Sequence, residues 1–359
     1  MFEFGNKVKI KLFGSSHGKH VGLIIKGLPI GYKIPTKKIN EELQRRRPDG
    51  KYTTKRIEND EFEFISGVKE EVIVGDEITL IVKNKNVRSS DYEKGILRPG
   101  HADLGAYLKY GPNFDFNGGN FFSGRMTVVF SCLGAIAKDI LSNYGIKIFS
   151  RNLSIGKIKD VSLKNVNLFE MYENNPNELI NTFSSLKKEK MLKELENVKN
   201  EQDSIGGSIE TYILNPIVGL GEPYFLSIES YISSLIFSLG GVKGISFGDN
   251  QNLYTKKGSQ VNDPYYFKDD KIIQKTNHNG GIFGGISVGS PIIFRTYIKP
   301  TPSIEKKQHT VSFLEGDKDI NIKGRHDVCI ALRIRPVIEC LTAYALLDLF
   351  LLKKEGEVK

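Results

Sequence analysis

The chain has 359 residues, 39% hydrophobic and 26% charged, with a net charge of +9. This composition is that of a soluble globular protein, and the length exceeds the roughly 250–300 residues at which one core stops growing, so one large domain or two subdomains fit. No apolar run of 18 residues occurs, MFEFGNKVKI lacks the apolar stretch of a signal peptide, and Cys132, Cys329 and Cys340 are too scattered for a disulfide framework or a zinc ribbon, leaving the cytoplasm as the expected compartment.

In chain order, residues 6–13 and 21–26 read as strands joined by a glycine-rich turn, FGSSHGKHVG, in which His20 reads as a polar loop residue. TKKINEELQRRR reads as a helix capped by Thr36 and stopped by Pro48, with Arg45 to Arg47 at the end that favours cations. Residues 72–83 are strand-like. In SGRMTVVFSCLGAIAKDILSNYG, Ser123 is the expected N-cap, Leu133, Ile136, Ala137, Ile140 and Leu141 form an apolar stripe, and Gly145 follows the end. SSLKKEKMLKELENVKNEQD is a charged, solvated helix, and FLSIESYISSLIFSLGG an apolar one ended by Gly240 and Gly241. GISVGSPIIFRTYI supplies strands, and PVIECLTAYALLDLFLLKK a buried or partner-facing helix with Pro336 in its first turn. No GxGxxG leads from a strand into a helix and no Walker sequence is present, which argues against the nucleotide sites built on them.

Chemistry concentrates in five glycine-punctuated islands: GSSHG (14–18), RRRPDGKYTTKR (45–56), RPGHAD (98–103), NHNGGIFGG (277–285) and KGRHD (323–327). Any one of them alone reads as a plain turn. Together, His17, His101 and Asp327 offer proton-transfer groups, and Arg46, Arg47, Lys51, Arg98, Arg125 and Arg325 offer fixed positive charge for phosphate or carboxylate. The glycines at 280–285 would let a flat cofactor or a phosphate approach backbone N–H groups. Metal-ligand spacing is absent, so no metal is expected. Aromatics are not interleaved with the basic islands, so nucleic acid is not an expected partner either.

In their order, these islands resemble the chorismate synthase family. The segments that carry the resemblance are FGSSHGKHVGLIIKGLPIG, RRRPDGKYTTKR, RPGHADLGAYLKYG, SGRMTVVFSCLGAIAKDIL, DSIGGSIE, GGVKGISFGD, NHNGGIFGGISVGSPI, IKPTPSI and KGRHDVCIALRIRPVIECLTAYALLD. They span residue 13 to about 350. The resemblance implies an α/β fold: a single-domain layered sandwich of mixed or antiparallel sheet and helices with internal pseudo-symmetry. Its halves would lie at approximately 1–150 and 200–350, with a charged helical insertion near 185–203. The implied activity is that of a shikimate-pathway lyase converting 5-enolpyruvylshikimate 3-phosphate to chorismate and phosphate by 1,4-anti elimination with reduced FMN. A homotetramer is implied. An external flavin reductase is the expected source of electrons, with NADPH as the indirect reductant, since no long extra segment is present.

Carried over motif by motif, the resemblance puts His17 at the leaving phosphate as proton donor and His101 by the flavin's pyrimidine edge. Asp327 would act with flavin N5 in taking the C6 proton. Ser16, Arg46, Lys51, Arg98, Arg125 and Arg325 would bind the anionic substrate. Ser123, Gly240, Gly241, Gly284, Lys299, Pro300, Thr301, Pro302, Ser303 and Arg325 would hold the flavin. The chain departs from the family pattern at Ser15, where many members have Glu, at Phe121-Phe122, where many have Arg-Ser, and at Lys51, which replaces an arginine. Two other readings stay open at this point: a metal phosphatase using His17, His101 and Asp327, and a basic nucleic-acid or anion-binding protein without catalysis.

Overall fold

The computed structural model describes residues 2–54, 58–85, 95–162, 166–173, 178–248, 253–313, 315–322 and 326–357. Alternating apolar residues at the N-terminus form one face of an antiparallel sheet. Its strands run Glu3–Phe4, Lys9–Gly14, His20–Lys26, Glu77–Lys83 and Phe62–Ser66 in spatial order. Register sets Val21 against Val82, Leu23 against Leu80 and Ile25 against Ile78, so all six apolar side chains leave the sheet on one side and are fully buried. The expected strand at 72–83 is broken. Val72–Ile73 and Glu77–Lys83 are separate strands, and Asp76 instead accepts the Gly27 N–H on its carbonyl.

A second antiparallel sheet orders Val242–Phe247, Ile292–Ile298, Gly207–Leu214, Lys147–Ile155 and Ile158–Lys159. Both of its faces are covered. Ile209, Ile213, Ile292 and Phe294 join the main core, while Phe149, Tyr212, Leu214 and Ile293 pack under Leu168, Met171, Tyr172 and Phe183. On the latter side Glu210 lies across from Arg151 and Arg295, and the three are buried together at 2.7 and 2.6 Å.

The helices are α1 (Thr36–Arg45), α2 (Asp103–Tyr110), α3 (Val128–Ser142), α4 (Leu168–Glu173), α5 (Ser185–Asn200), α6 (Ile228–Phe237), α7 (Gly258–Val261) and α8 (Ala331–Glu357). Helix α3 packs on the first sheet and α8 on the second, and the two helices pack on each other between them. They meet at Gly134, where an added Cβ would overlap Cβ and Cα of Cys340. The expected stripe on α3 is buried, and so are Val128, Cys132 and Ala135 around it, as a helix enclosed on all sides requires. Among the described residues no helix is long and apolar enough to cross a membrane.

Three expectations about helix ends are corrected. Pro35, not Thr36, is the N-cap of α1; the Thr36 hydroxyl turns to Glu71 and the Ile34 carbonyl. Helix α1 stops at Arg45, since Pro48 disfavours helical backbone at the residue before it. Helix α8 begins at Ala331, so Pro336 lies inside it rather than in the first turn. The buried Ala331, Leu332 and Ile334 draw that earlier turn into the core. Ser123 does cap as expected, accepting the Arg125 N–H at 3.3 Å, although it opens the 3-10 turn Gly124–Thr127 ahead of α3.

The end of α1 is fixed by buried charge. Arg45 donates to both Glu339 oxygens at 2.7 and 2.9 Å, and Lys138 of α3 reaches Glu42 and the same Glu339 at 2.7 and 2.9 Å. Burial pushes the Glu339 carboxyl up, but Arg45 and Lys138 outweigh it and hold the pKa down to about 2. This pins the chain that leaves α1 towards the site.

Candidate active site

The first island folds into a tight turn between strands Lys9–Gly14 and His20–Lys26. Gly14 turns it with φ +87, and the Gly18 N–H donates to the Ser15 carbonyl at 3.2 Å. Ser16 is fully buried. Its Oγ lies 3.0 Å from His17 Nδ1 and 3.4 Å from the Gly118 carbonyl, and its N–H reaches the Asn120 carbonyl at 3.4 Å. His20 opens the second strand, paired with Lys83, and packs edge-on against Phe13; it is not a loop residue.

Gly118, Gly119 and Asn120 carry φ of +58, +78 and +48, which only glycine and a few polar residues adopt without strain. An added Cβ at Gly118 would overlap the His17 ring, and one at Gly119 would stand 3.2 Å from His101 Cε1. The two histidines, 84 positions apart in the chain, therefore rest on neighbouring glycines of one turn. That turn is clamped by aromatic rings. Phe121 meets Phe2 at 5.3 Å and Phe122 at 4.7 Å with tilted rings, and Phe114 at 5.2 Å and Tyr110 at 5.5 Å edge-on. Phe116 meets Phe114 at 5.1 Å and Phe313 at 6.3 Å.

His101 is held from below. Its Nδ1 is 2.7 Å from Asp103 Oδ1 and 3.1 Å from Arg98 Nη2, and Arg98 binds Asp103 with Nε and Nη2 at 2.7 and 2.8 Å. Burial would raise the Asp103 carboxyl, but Arg98 and His101 outweigh it and hold it well below the usual carboxylate range. Such a group stabilises the fold above its unfolded pKa of about 4 and loses that contribution as pH falls towards the lowered folded value. Asp103→Asn is expected to lower stability at pH 7 by about 1–3 kcal/mol. The gap to the parent should narrow at pH 3, and urea midpoints at the two pH values measure it. A gap independent of pH would contradict an ionised Asp103.

Segment 299–303 lies beside this histidine. Lys299 donates its N–H to the Gly241 carbonyl at 2.9 Å and its Nζ to the Gly100 carbonyl at 2.6 Å, and an added Cβ at Gly100 would stand 3.3 Å from Pro302. Ser204 Oγ donates to the Thr301 carbonyl at 2.6 Å, Ser303 is buried, and Thr301 Oγ1 is buried with no hydrogen-bond partner among the described residues.

Cations gather on the other side of the first island. Arg46 is buried and reaches Asp60 at 3.2 Å and the Gly124 carbonyl and Thr127 Oγ1 at 3.3 Å each. Burial, and then Arg333, push its pKa down to about 10 against the pull of Asp60. Arg125 pairs with Asp60, lies 3.4 Å from Glu58 and donates at 2.8 Å to Asn84 Oδ1. Asp327 accepts the Thr54 N–H at 2.9 Å and pairs with Arg333 at 3.3 Å, while Arg333 Nε reaches the Arg46 carbonyl at 3.4 Å.

The structure thus joins His17, Ser16, His101, Arg98, Ser123, Arg46, Arg125, Asp327, Gly241 and the 299–303 segment through direct contacts and shared neighbours. Lys51 points away, with Nζ 3.6 Å from Glu196 on α5. Gly284 sits between the short strands Ile282–Phe283 and Ile286–Ser287, next to Gly285, which packs on Ser227 and Glu222. Gly280, Gly281 and Gly285 face protein backbone rather than open space, so their freedom serves the fold; at Gly284 an added Cβ would meet nothing. Arg325 lies outside the described residues. Sequence reasoning missed Gly118, Gly119, Asn84, Asp60 and Arg333. The paired glycines in FNGGNFF are the signal that points to the first two.

Two antiparallel sheets around paired helices carry half-buried histidines and arginines on glycine turns, an arrangement that suits an enzyme for a small molecule. The sequence model of the chorismate synthase family matches residues 8–351. The chorismate synthase of Pyrococcus abyssi is 40% identical, with 99% of each chain covered. That of Methanocaldococcus jannaschii is 41% identical, with 98% of this chain and 96% of the other covered. A crystal structure of a chorismate synthase superposes with a TM-score of 0.77 at 26% identity, covering 98% of this chain and 93% of that one. The chain belongs to the chorismate synthase family, and with it to the lyases of the shikimate pathway. The layered, antiparallel α/β sandwich expected from the sequence is the fold observed.

Proposed function

We propose that this lyase works with reduced FMN, and that the histidine turn and the 299–303 segment frame its reaction. In the overall step phosphate leaves with the electron pair of its C–O bond, a proton leaves C6, and a second ring double bond forms. The observation that carries the reading is the meeting of His17 and His101 on Gly118 and Gly119. Thr301 Oγ1, buried with no partner among the described residues, supports a polar group docking at the 299–303 segment. Gly240, Gly241, Ser123, Gly284 and Lys299 to Ser303 would hold it, together with Arg325. When bound, reduced FMN would supply an electron-rich ring that stabilises the positive charge developing on the substrate as the C–O bond breaks.

This chain's own residues supply the proton and charge chemistry. His17, its ring oriented by Ser16 Oγ at Nδ1, protonates the departing phosphate. His101, fixed by Asp103 and Arg98, sets the charge at the edge of the flavin site. Asp327 takes part in removing the C6 proton. Arg46, Arg98, Arg125 and Arg325, with Ser16, position the anionic substrate, and Lys51 is the outlying member of that set. We further read the chain as one domain of two pseudo-symmetric halves, approximately 1–150 and 200–350. The support is one five-stranded antiparallel sheet and one central helix for each half, the second sheet drawing Lys147–Ile155 and Ile158–Lys159 from between the two ranges. A cytoplasmic homotetramer served by an external flavin reductase, with NADPH as indirect reductant, completes the proposal.

Anaerobic protein with chemically reduced FMN should release phosphate from 5-enolpyruvylshikimate 3-phosphate, and NADPH with oxidised FMN should not unless a reductase is added. Turnover that needs a divalent metal and ignores flavin would overturn the reading. Turnover with NADPH and FMN alone would overturn only the external reductase.

A further inference from the structure

Asn84 ends the strand Glu77–Lys83 and makes more ties across the site than any motif predicts. Its Nδ2 donates to the Ser15 carbonyl at 3.0 Å and to the Gly18 carbonyl at 2.8 Å, bracketing Ser16 and His17 on both sides. Its backbone N–H donates to the Lys19 carbonyl at 3.0 Å, and its Oδ1 accepts Arg125 Nε at 2.8 Å. Arg125 is in turn immobilised by Asp60, by Glu58 and by the Lys83 carbonyl at 3.0 Å. One carboxamide therefore carries the rigidity of a buried cation cluster into the histidine turn.

The bond directions make the choice of residue specific. Two carbonyls need two N–H donors, and a guanidinium needs an acceptor, on one short side chain. A carboxamide offers both, whereas aspartate would keep the acceptor and turn oxygen towards the two carbonyls. Ser16 and Gly118 also contact the His17 neighbourhood, and Asn84 adds a separate tie from the end of the neighbouring strand. A displacement of about 1 Å at a reacting group is enough to cost about 10²-fold in rate.

We infer that Asn84 is a positioning residue: its carboxamide fixes the 15–18 turn, and through it the His17 imidazole, against the Arg125 cluster. The inference rests on the reading of His17 as the proton donor in the elimination. His101 provides an internal control, since Arg98 and Asp103 hold it independently of Asn84.

The test compares Asn84→Ala and Asn84→Asp in the full-length protein, by phosphate release with reduced FMN and by imidazole NMR of the ligand-free enzyme. Both variants should lower kcat by about 10–100-fold, with KM within about threefold. Both should shift the His17 ring signals and leave those of His101 in place. Amide exchange should quicken at residues 15–19 and stay slow in α3. Asn84→Asp keeps an acceptor for Arg125 and loses the donors to the turn, while the uncharged Asn84→Ala separates the lost ties from the added charge. Parent-like kcat or unmoved His17 signals in Asn84→Asp would overturn the inference, as would equal displacement of His17 and His101. Failure of the parent itself to release phosphate would instead remove the reading of the reaction, while a His17-specific shift would still uphold Asn84 as the tie.

Discussion

His17→Ala is expected to release phosphate about 10²–10⁴-fold more slowly than the parent with reduced FMN under anaerobic conditions, the range that positioned proton transfer contributes. The loss should appear in kcat, with KM within about threefold, because the arginines and not the imidazole carry the ground-state charge. The fold should survive. The Ser16 N–H on the Asn120 carbonyl and the Asn84 contacts do not involve the imidazole, and Ser16 Oγ, which loses His17 Nδ1, keeps the Gly118 carbonyl at 3.4 Å. Retention of the parent rate would remove His17 from the chemistry and leave its place against Gly118 as packing alone.

Gly118→Ala should come close to the same loss without touching a titratable group. A methyl there enters the His17 ring itself, and the ring cannot stay where it is. Gly119→Ala controls for backbone, since it also places a side chain at positive φ, +78 against +58, at a strain of roughly 1–2 kcal/mol. Its added Cβ would stand 3.2 Å from His101, a tightness that a few tenths of an ångström relieve. The expected order of rates is parent, then Gly119→Ala, then Gly118→Ala. Gly118→Ala combined with His17→Ala should be no slower than His17→Ala alone, because both changes remove one function. Additive losses, or equal losses at the two glycines, would show that the turn acts through stability rather than through the histidine it carries.

Much of the fold was legible because its elements are locally consistent. Ser123 ahead of α3 and Gly145 after it announce themselves within a few residues, whereas α6 ends at Phe237, short of the expected Gly240 and Gly241. The errors share a cause. Thr36 and Pro336 look like end signals in isolation, but Glu71 takes the Thr36 hydroxyl and the core takes the turn before Pro336. The site divides in the same way. His17, His101 and the arginines stand out as residue types in glycine-rich islands. What each one rests on does not, because Gly118, Asn84 and Asp60 reach them across 14 or more positions of chain. Arg46 was legible as a cation, while its burial against Asp60 and Gly124 belongs to tertiary structure alone.

The rings around Phe121 give the histidine turn an unusual kind of foundation. Where the family resemblance leads one to expect Arg and Ser, this chain places Phe121 and Phe122 against Phe2, Tyr110 and Phe114, contacts between rings rather than charges. Ionic strength therefore has little hold on it. The contact strengthens with warming and fades on cooling, as apolar association does. High salt should screen the substrate's approach to the arginines and leave the spacing of the two imidazoles intact. On the proposed roles of the histidines and arginines, cold is the condition expected to loosen the turn, a thermal dependence separate from the ionic dependence expected of substrate capture.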